Sequence, residues 1–164
     1  MNAITIYYSV SGRTEVVAKT ISEKLNTDIV KIKDLKNRKG MKNKIIASLD
    51  AFQENKTKIQ PIRVDLTEYD NVFFATPTWA SNPTPAIITM IDRCDLRGKK
   101  VVLVTTMGSN GGSSAIKRME EKVQVRGAHI IGKFIINTKN KSKSALIREV
   151  ENIVYTINSK NNDS

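Results

Sequence analysis

Cysteine occurs once in these 164 residues, as Cys94, and histidine once, as His129. A lone cysteine excludes an internal disulfide, and one residue of each kind leaves no cysteine/histidine metal cluster. The expectation is a metal-free protein in a reducing, cytoplasmic setting. No apolar stretch approaches the roughly 18 residues that span a bilayer, and the amino-terminal MNAITIYY enters an apolar run without a basic leader. Repeats and low-complexity segments are lacking too. One domain over residues 1–158 is expected, with a disordered tail at 159–164. Two nucleotide-binding motifs are also missing. G-x-G-x-x-G needs three glycines where only Gly12 occurs, and the P-loop needs a lysine and an earlier glycine.

Acidic residues are scarce: 16 Asp and Glu face 27 Lys and Arg, a net charge of +11. Much of the excess is local, since residues 31–44 (KIKDLKNRKGMKNK) hold seven basic residues and one acidic. Such a field attracts nucleic acid, acidic proteins or anionic small molecules. The segment has no aromatic residues interleaved for base stacking, so a solvated basic face is the preferred reading.

What is present is an alternation of β-branched apolar runs with helical patterns, the mark of βαβ units and a parallel sheet. Strands are predicted at AITIYY, DIVKIK, NVFFAT, KVVLVTT and HIIGKFIIN, with helices on both faces. The first helix carries Val17, Ala18, Ile21 and Leu25 on one stripe, and residues 40–55 carry Ile45, Leu49 and Phe52. Pro83 and Pro85 suit the start of a third helix that buries Ile87, Met90, Ile91 and Cys94. A fourth, capped by Ser113 or Ser114, uses Ile116, Met119 and Val123, and the last uses Leu146, Val150, Ile153, Val154 and Ile157. Residues 55–70, with Pro61, read as an extended linker. His129 falls in or beside the last strand and reads as structural.

In such a sheet, ligands collect beyond the carboxyl ends of the strands. Three loops lie there. The first, SVSGRT, places hydroxyls and Gly12 before a helix whose unpaired N–H groups favour an anion, phosphate above all. Its competing reading is a helix merely capped by Ser11 or Thr14. The second, ATPTWASNPTPA, holds the only tryptophan, Trp79, placed to stack on a flat ligand or to pack against a neighbouring loop or partner chain. The third, TTMGSNGGSS, has glycines that let a ligand edge approach backbone N–H groups.

Together, SVSGRT followed by EVVAKTI, then YDNVFFATPTWASNPTPAI and KKVVLVTTMGSNGG, resemble the flavodoxin family of flavin mononucleotide (FMN) proteins in order and over nearly the whole chain. The resemblance implies an α/β three-layer sandwich with a five-stranded parallel sheet of order 2-1-3-4-5. It implies FMN as cofactor. Ser9, Ser11, Gly12, Arg13 and Thr14 would then carry the phosphate. Thr76, Pro77, Thr78, Trp79 and Ala80 would line one side of the flavin, and Thr106, Met107, Gly108 and Gly112 the other. The chain departs from the family in three places. The third loop has no aromatic residue to cover the second flavin face. Ala80 stands where glycine is usual, and a left-handed backbone there costs alanine about 1 kcal/mol or more. The net charge is strongly basic where many members are acidic, which implies acidic redox partner proteins.

An electron carrier is the leading expectation, since the cofactor brings the redox chemistry and no catalytic acid or base is needed. A flavin-dependent NAD(P)H:quinone or related oxidoreductase of the same fold is the alternative, favoured by the open flavin face and a positive field that would attract an anionic pyridine nucleotide. A binder of nucleic acid or another anionic surface, using the 31–44 segment, is the third.

Overall fold

The computed structural model describes residues 2–36 and 56–162. The chain runs β1 (Ala3–Tyr7), α1 (Arg13–Leu25), β2 (Asp28–Lys31), β3 (Lys33–Asp34), β4 (Ile59–Gln60), β5 (Asn71–Trp79), β6 (Asn82–Pro83), α2 (Pro85–Arg93), β7 (Lys100–Met107), α3 (Gly112–Gln124), β8 (His129–Asn137) and α4 (Lys143–Asn162). The helix expected over residues 40–55, like residues 37–44 of the basic run, lies outside the described residues. The last helix continues to Asn162, past the expected boundary at 158.

The five long strands pair in the order β2-β1-β5-β7-β8, all parallel, which is the 2-1-3-4-5 order expected. The central strands are buried on both faces, so they read as continuous apolar runs. Side chains alternate across them and build two cores. On one face Ile6, Val72, Phe74 and Leu103 meet Ile87, Met90 and Ile91 of α2 and Met119 and Val123 of α3. On the other, Phe73, Val102 and Val104 meet Val17, Ala18 and Ile21 of α1 and Leu146, Val150 and Val154 of α4. Each fully buried Ile, Leu or Phe in these layers contributes about 1.5–3 kcal/mol relative to exposure. Cys94 closes α2 inside the first core, where burial pushes its thiol up to about 11.

Three expectations need correction. The second predicted strand is broken: β2 ends at Lys31, and β3 pairs antiparallel with β4 in a separate two-stranded sheet, so a short strand stands at residues 59–60 within the stretch read as linker. The third strand does not stop at Thr76 but runs to Trp79, because it gains an antiparallel partner in β6 beyond its parallel neighbours. The helix after the fourth long strand starts at Gly112, with Gly111 as its cap residue at φ 86, and no side chain caps it. Ser113 and Ser114 lie exposed in its first turn instead. His129 opens β8 with its side chain exposed.

Candidate functional site

All three loops come together at the carboxyl ends of β1, β5 and β7. In the first, the backbone turns at Gly12, φ 86, a left-handed conformation that glycine adopts freely. No side chain caps α1, so the competing reading of Ser11 or Thr14 as its cap is set aside. The first-turn N–H groups of α1 therefore face the loop, at the positive end of the helix dipole. A Cβ at Gly12 would meet no atom within 4 Å, so the cradle is open on that side. Ser9 Oγ accepts from Gly12 N at 3.2 Å and shapes the turn, while Ser11 is exposed.

The charged residues around this cradle are sorted by their partners. Glu15, in the first turn, would oppose an anion, but Lys31 and Lys19 hold its carboxylate at 2.6 and 2.9 Å. Their hydrogen bonds bring its pKa down to about 2. Burial, with Glu15 as its hydrogen-bond partner, pushes the Tyr7 hydroxyl up to about 12. Arg13 Nη1 donates to the Lys141 carbonyl, which turns the guanidinium toward residues 138–142. That segment was not anticipated as part of the site. It also reaches the third loop, since Thr138 N and Oγ1 both donate to the Met107 carbonyl, at 2.8 and 3.2 Å.

Thr76, Pro77, Thr78 and Trp79 lie on the end of β5 and not in a loop. Ala80 and Ser81 form the two-residue tip of the β5–β6 hairpin, both at positive φ, 46 and 63. That is the geometry of a type I′ turn, usually filled by asparagine and glycine. Trp79 is half-buried and meets Tyr8 edge to face, 5.8 Å between ring centroids at 83°. The contact with Tyr8 leaves the residue partly exposed beside the loops.

In the third loop Gly108, Ser109 and Asn110 are exposed, and a Cβ at Gly108 would meet nothing within 4 Å. Packing demands glycine at the other two, and at Gly111 the positive φ demands it as well. A Cβ at Gly111 would come within 2.6 Å of Ser81 Cα, which locks the hairpin tip against α3. One at Gly112 would lie 2.5 Å from Ile135 Cγ2 and 3.0 Å from Met107 Sδ, so this glycine lets α3 sit on β8. Thr106 is buried, with its hydroxyl 2.8 Å from that of Thr14. Thr84 and Thr105 were missed. Their hydroxyls lie 2.8 Å from those of Thr76 and Thr78 respectively. For Thr105 the signal was available, because a threonine at the end of an otherwise apolar strand needs a partner, whereas Thr84 stands at the start of α2.

A groove of about 640 Å³ lies at the opposite end of the strands, lined by Arg63, Asp65, Arg93, Asp95, Arg97 and Lys99. Arg97 and Asp95 pair within it. Among the described residues, no group of three His, Cys, Asp or Glu is placed to hold a metal ion, and no helix is long and apolar enough to cross a membrane.

A family model described as NADPH-dependent FMN reductase matches residues 1–141. No curated protein matches the sequence. Among solved structures, a flavoprotein in complex with FMN from Lactobacillus acidophilus is 24% identical with a TM-score of 0.68, covering 82% of this chain and 92% of its own. Oxidised flavodoxin 2 from Bacillus cereus is 18% identical with a TM-score of 0.60, covering 98% and 99%. A flavodoxin of Streptococcus pneumonia TIGR4 is 14% identical with a TM-score of 0.61, also covering 98% and 99%. These likenesses establish the flavodoxin-like fold.

Proposed function

Because the chain belongs to the NADPH-dependent FMN reductase family, we infer that it binds FMN between these loops and uses it to move electrons from a reduced pyridine nucleotide to an acceptor. The observation that carries the reading is the uncapped start of α1 at Gly12, open toward solvent and flanked by hydroxyls. An anion of phosphate size fits that cradle: the N–H groups of the first turn donate to it, Ser9, Ser11 and Thr14 supply hydroxyls nearby, and Arg13 adds charge at the rim. Glu15 does not compete, since its carboxylate is taken up by Lys19 and Lys31.

The same arrangement suits a flat ring. Thr76, Pro77, Thr78, Trp79 and Ala80 would line one side, and Met107 and Gly108 the other, where open space at Gly108 admits close approach. Trp79 would exclude water from the ring edge. FMN held there by these residues would supply the redox chemistry, a two-electron relay between a reduced nicotinamide and the acceptor. The residues named here bind and orient. The basic surface supports recruitment of an anionic nucleotide. Gly112 sits under α3 and serves the site by packing, and Thr106 serves it through Thr14. A cytoplasmic setting suits the lone buried thiol.

The test is to titrate the protein with FMN while following quenching of flavin and Trp79 fluorescence, then to assay NADH and NADPH oxidation with a quinone acceptor. Micromolar or tighter binding and flavin-dependent NADPH oxidation are expected. Binding without pyridine-nucleotide oxidation would replace the reductase with an electron carrier. That second reading is favoured by the absence of histidine, cysteine and aspartate among the named residues. No binding at micromolar FMN would sink both, and salt-sensitive binding of nucleic acid without flavin would then take their place.

A further inference from the structure

We propose that Thr105 and Thr106, adjacent at the carboxyl end of β7, are positioning residues that hold the two halves of the site separately: Thr106 the phosphate loop, Thr105 the ring-side arm. The inference rests on the FMN reading above. Consecutive strand residues point to opposite faces of the sheet. Thr106 therefore faces α1, where its hydroxyl lies 2.8 Å from that of Thr14 in the first helical turn. Thr105 faces the other layer. Its hydroxyl donates to the Thr76 carbonyl at 3.1 Å and so receives its 2.8 Å bond from the Thr78 hydroxyl. The chain of contacts continues from Thr76 Oγ1 to Thr84 Oγ1 at 2.8 Å, at the start of α2. Thr105 is fully buried and Thr106 is 3% exposed, and the hydroxyl of each is engaged by the neighbour through which it acts.

Two consequences separate the roles. Replacing Thr106 by the isosteric valine leaves the Thr14 hydroxyl facing a methyl group at the phosphate loop and leaves the ring-side arm intact. Replacing Thr105 by valine releases Thr78 and the Thr76 carbonyl, both on the segment that carries Trp79.

Purified wild type, Thr106→Val, Thr105→Val and the two serine variants would be titrated with FMN and with riboflavin, which has the ring and no phosphate. Thermal unfolding would be followed in parallel. Thr106→Val is expected to weaken FMN binding about tenfold or more while changing riboflavin binding less than about twofold. Thr105→Val is expected to weaken both ligands by a similar factor and to change the Trp79 emission of the bound form. Thr106→Ser and Thr105→Ser, which keep the hydroxyls, should restore wild-type behaviour. In a Thr14→Val background, Thr106→Val should cost nothing further in FMN affinity. Wild type that binds FMN while Thr106→Val loses both ligands equally, or neither, overturns the inference and leaves the FMN reading standing. So does a folded Thr106→Ser variant that loses FMN selectively. Wild type that binds neither flavin overturns the FMN reading, and this inference with it.

Discussion

Gly12 and Gly112 both stand where a strand hands over to a helix, yet the physical demand on each differs. Gly12 needs its positive φ of 86 and has open space around it, so Gly12→Ala is expected to cost about 1–2 kcal/mol through backbone strain alone. Gly112 has no positive φ, and Gly112→Ala drives a methyl group against Ile135 and Met107, an overpacking cost of about 1–3 kcal/mol. Denaturant titration of double variants tells them apart: Ile135→Ala should relieve Gly112→Ala and leave Gly12→Ala unrelieved. Glu15 offers a second test at this scale. Its carboxyl is held at about 2, below its ordinary 4.5, by Lys31 and then Lys19. A depressed folded-state value means the stabilisation is fully present above about pH 4.5 and is lost as pH falls through about 2. Glu15→Gln should therefore cost up to about 1 kcal/mol at pH 7, a partly exposed pair being screened. In urea titrations at stepped pH, the gap to wild type should close only as pH drops from 4.5 toward 2.

Among the elements, the β5–β6 hairpin carries visible strain. Alanine and serine occupy both left-handed positions of its tip, where such conformations cost non-glycine residues about 1–2 kcal/mol each. Asn82 Nδ2 donates to the Ala80 carbonyl at 3.0 Å, and Ser81 is wedged against Gly111, which together hold the tip in place. Ala80→Gly is expected to raise the melting temperature by about 1–3 °C, strain relief outweighing the greater freedom glycine gives the unfolded chain. A fall in melting temperature would show that the tip is not strained as described. The helices were legible from their apolar spacing, with Val17, Ala18 and Ile21 of α1 and Leu146, Val150 and Val154 of α4 all buried as expected. The hairpin was not, because Pro77 and Pro83 within ATPTWASNPTPA argue against strand by local preference. The antiparallel pairing of Thr78 with Pro83 and Trp79 with Asn82 overrides that preference.

Across the whole molecule, the sheet separates two cores, and the three candidate-site loops gather at one end of it while the basic groove lies at the other. Cys94 reports on the integrity of the first core. Its thiol is 2% exposed and pushed up to about 11 by burial, so little thiolate forms near neutral pH and reagents reach it only when the core opens. Modification by an aromatic disulfide reagent at pH 7 should run about a thousandfold or more slower than for a free thiol and accelerate with urea along the unfolding transition. Fast modification of the folded protein would mean that this core opens locally. The net charge of +11 acts at the same scale, favouring encounters with anionic ligands without specifying any one of them.

Local sequence was enough for the parallel sheet, the order of its elements and the end of the sheet where the three loops gather. Each of those follows from local periodicity, from right-handed connections and from the direction of the strands. It also determined the glycine turn before α1, since a left-handed position just ahead of a helical pattern is a local demand. Which hydroxyls meet was set by the packing of distant elements. Thr14 and Thr106 are 92 residues apart in the chain, and the packing of α1 on the sheet beside β7 brings their hydroxyls to 2.8 Å. The same holds for Arg13 and the 138–142 segment, for Ser81 against Gly111, and for the exclusion of any side chain at Gly112. Contacts of this kind depend on how whole layers stack, and no single stretch of sequence carries that information.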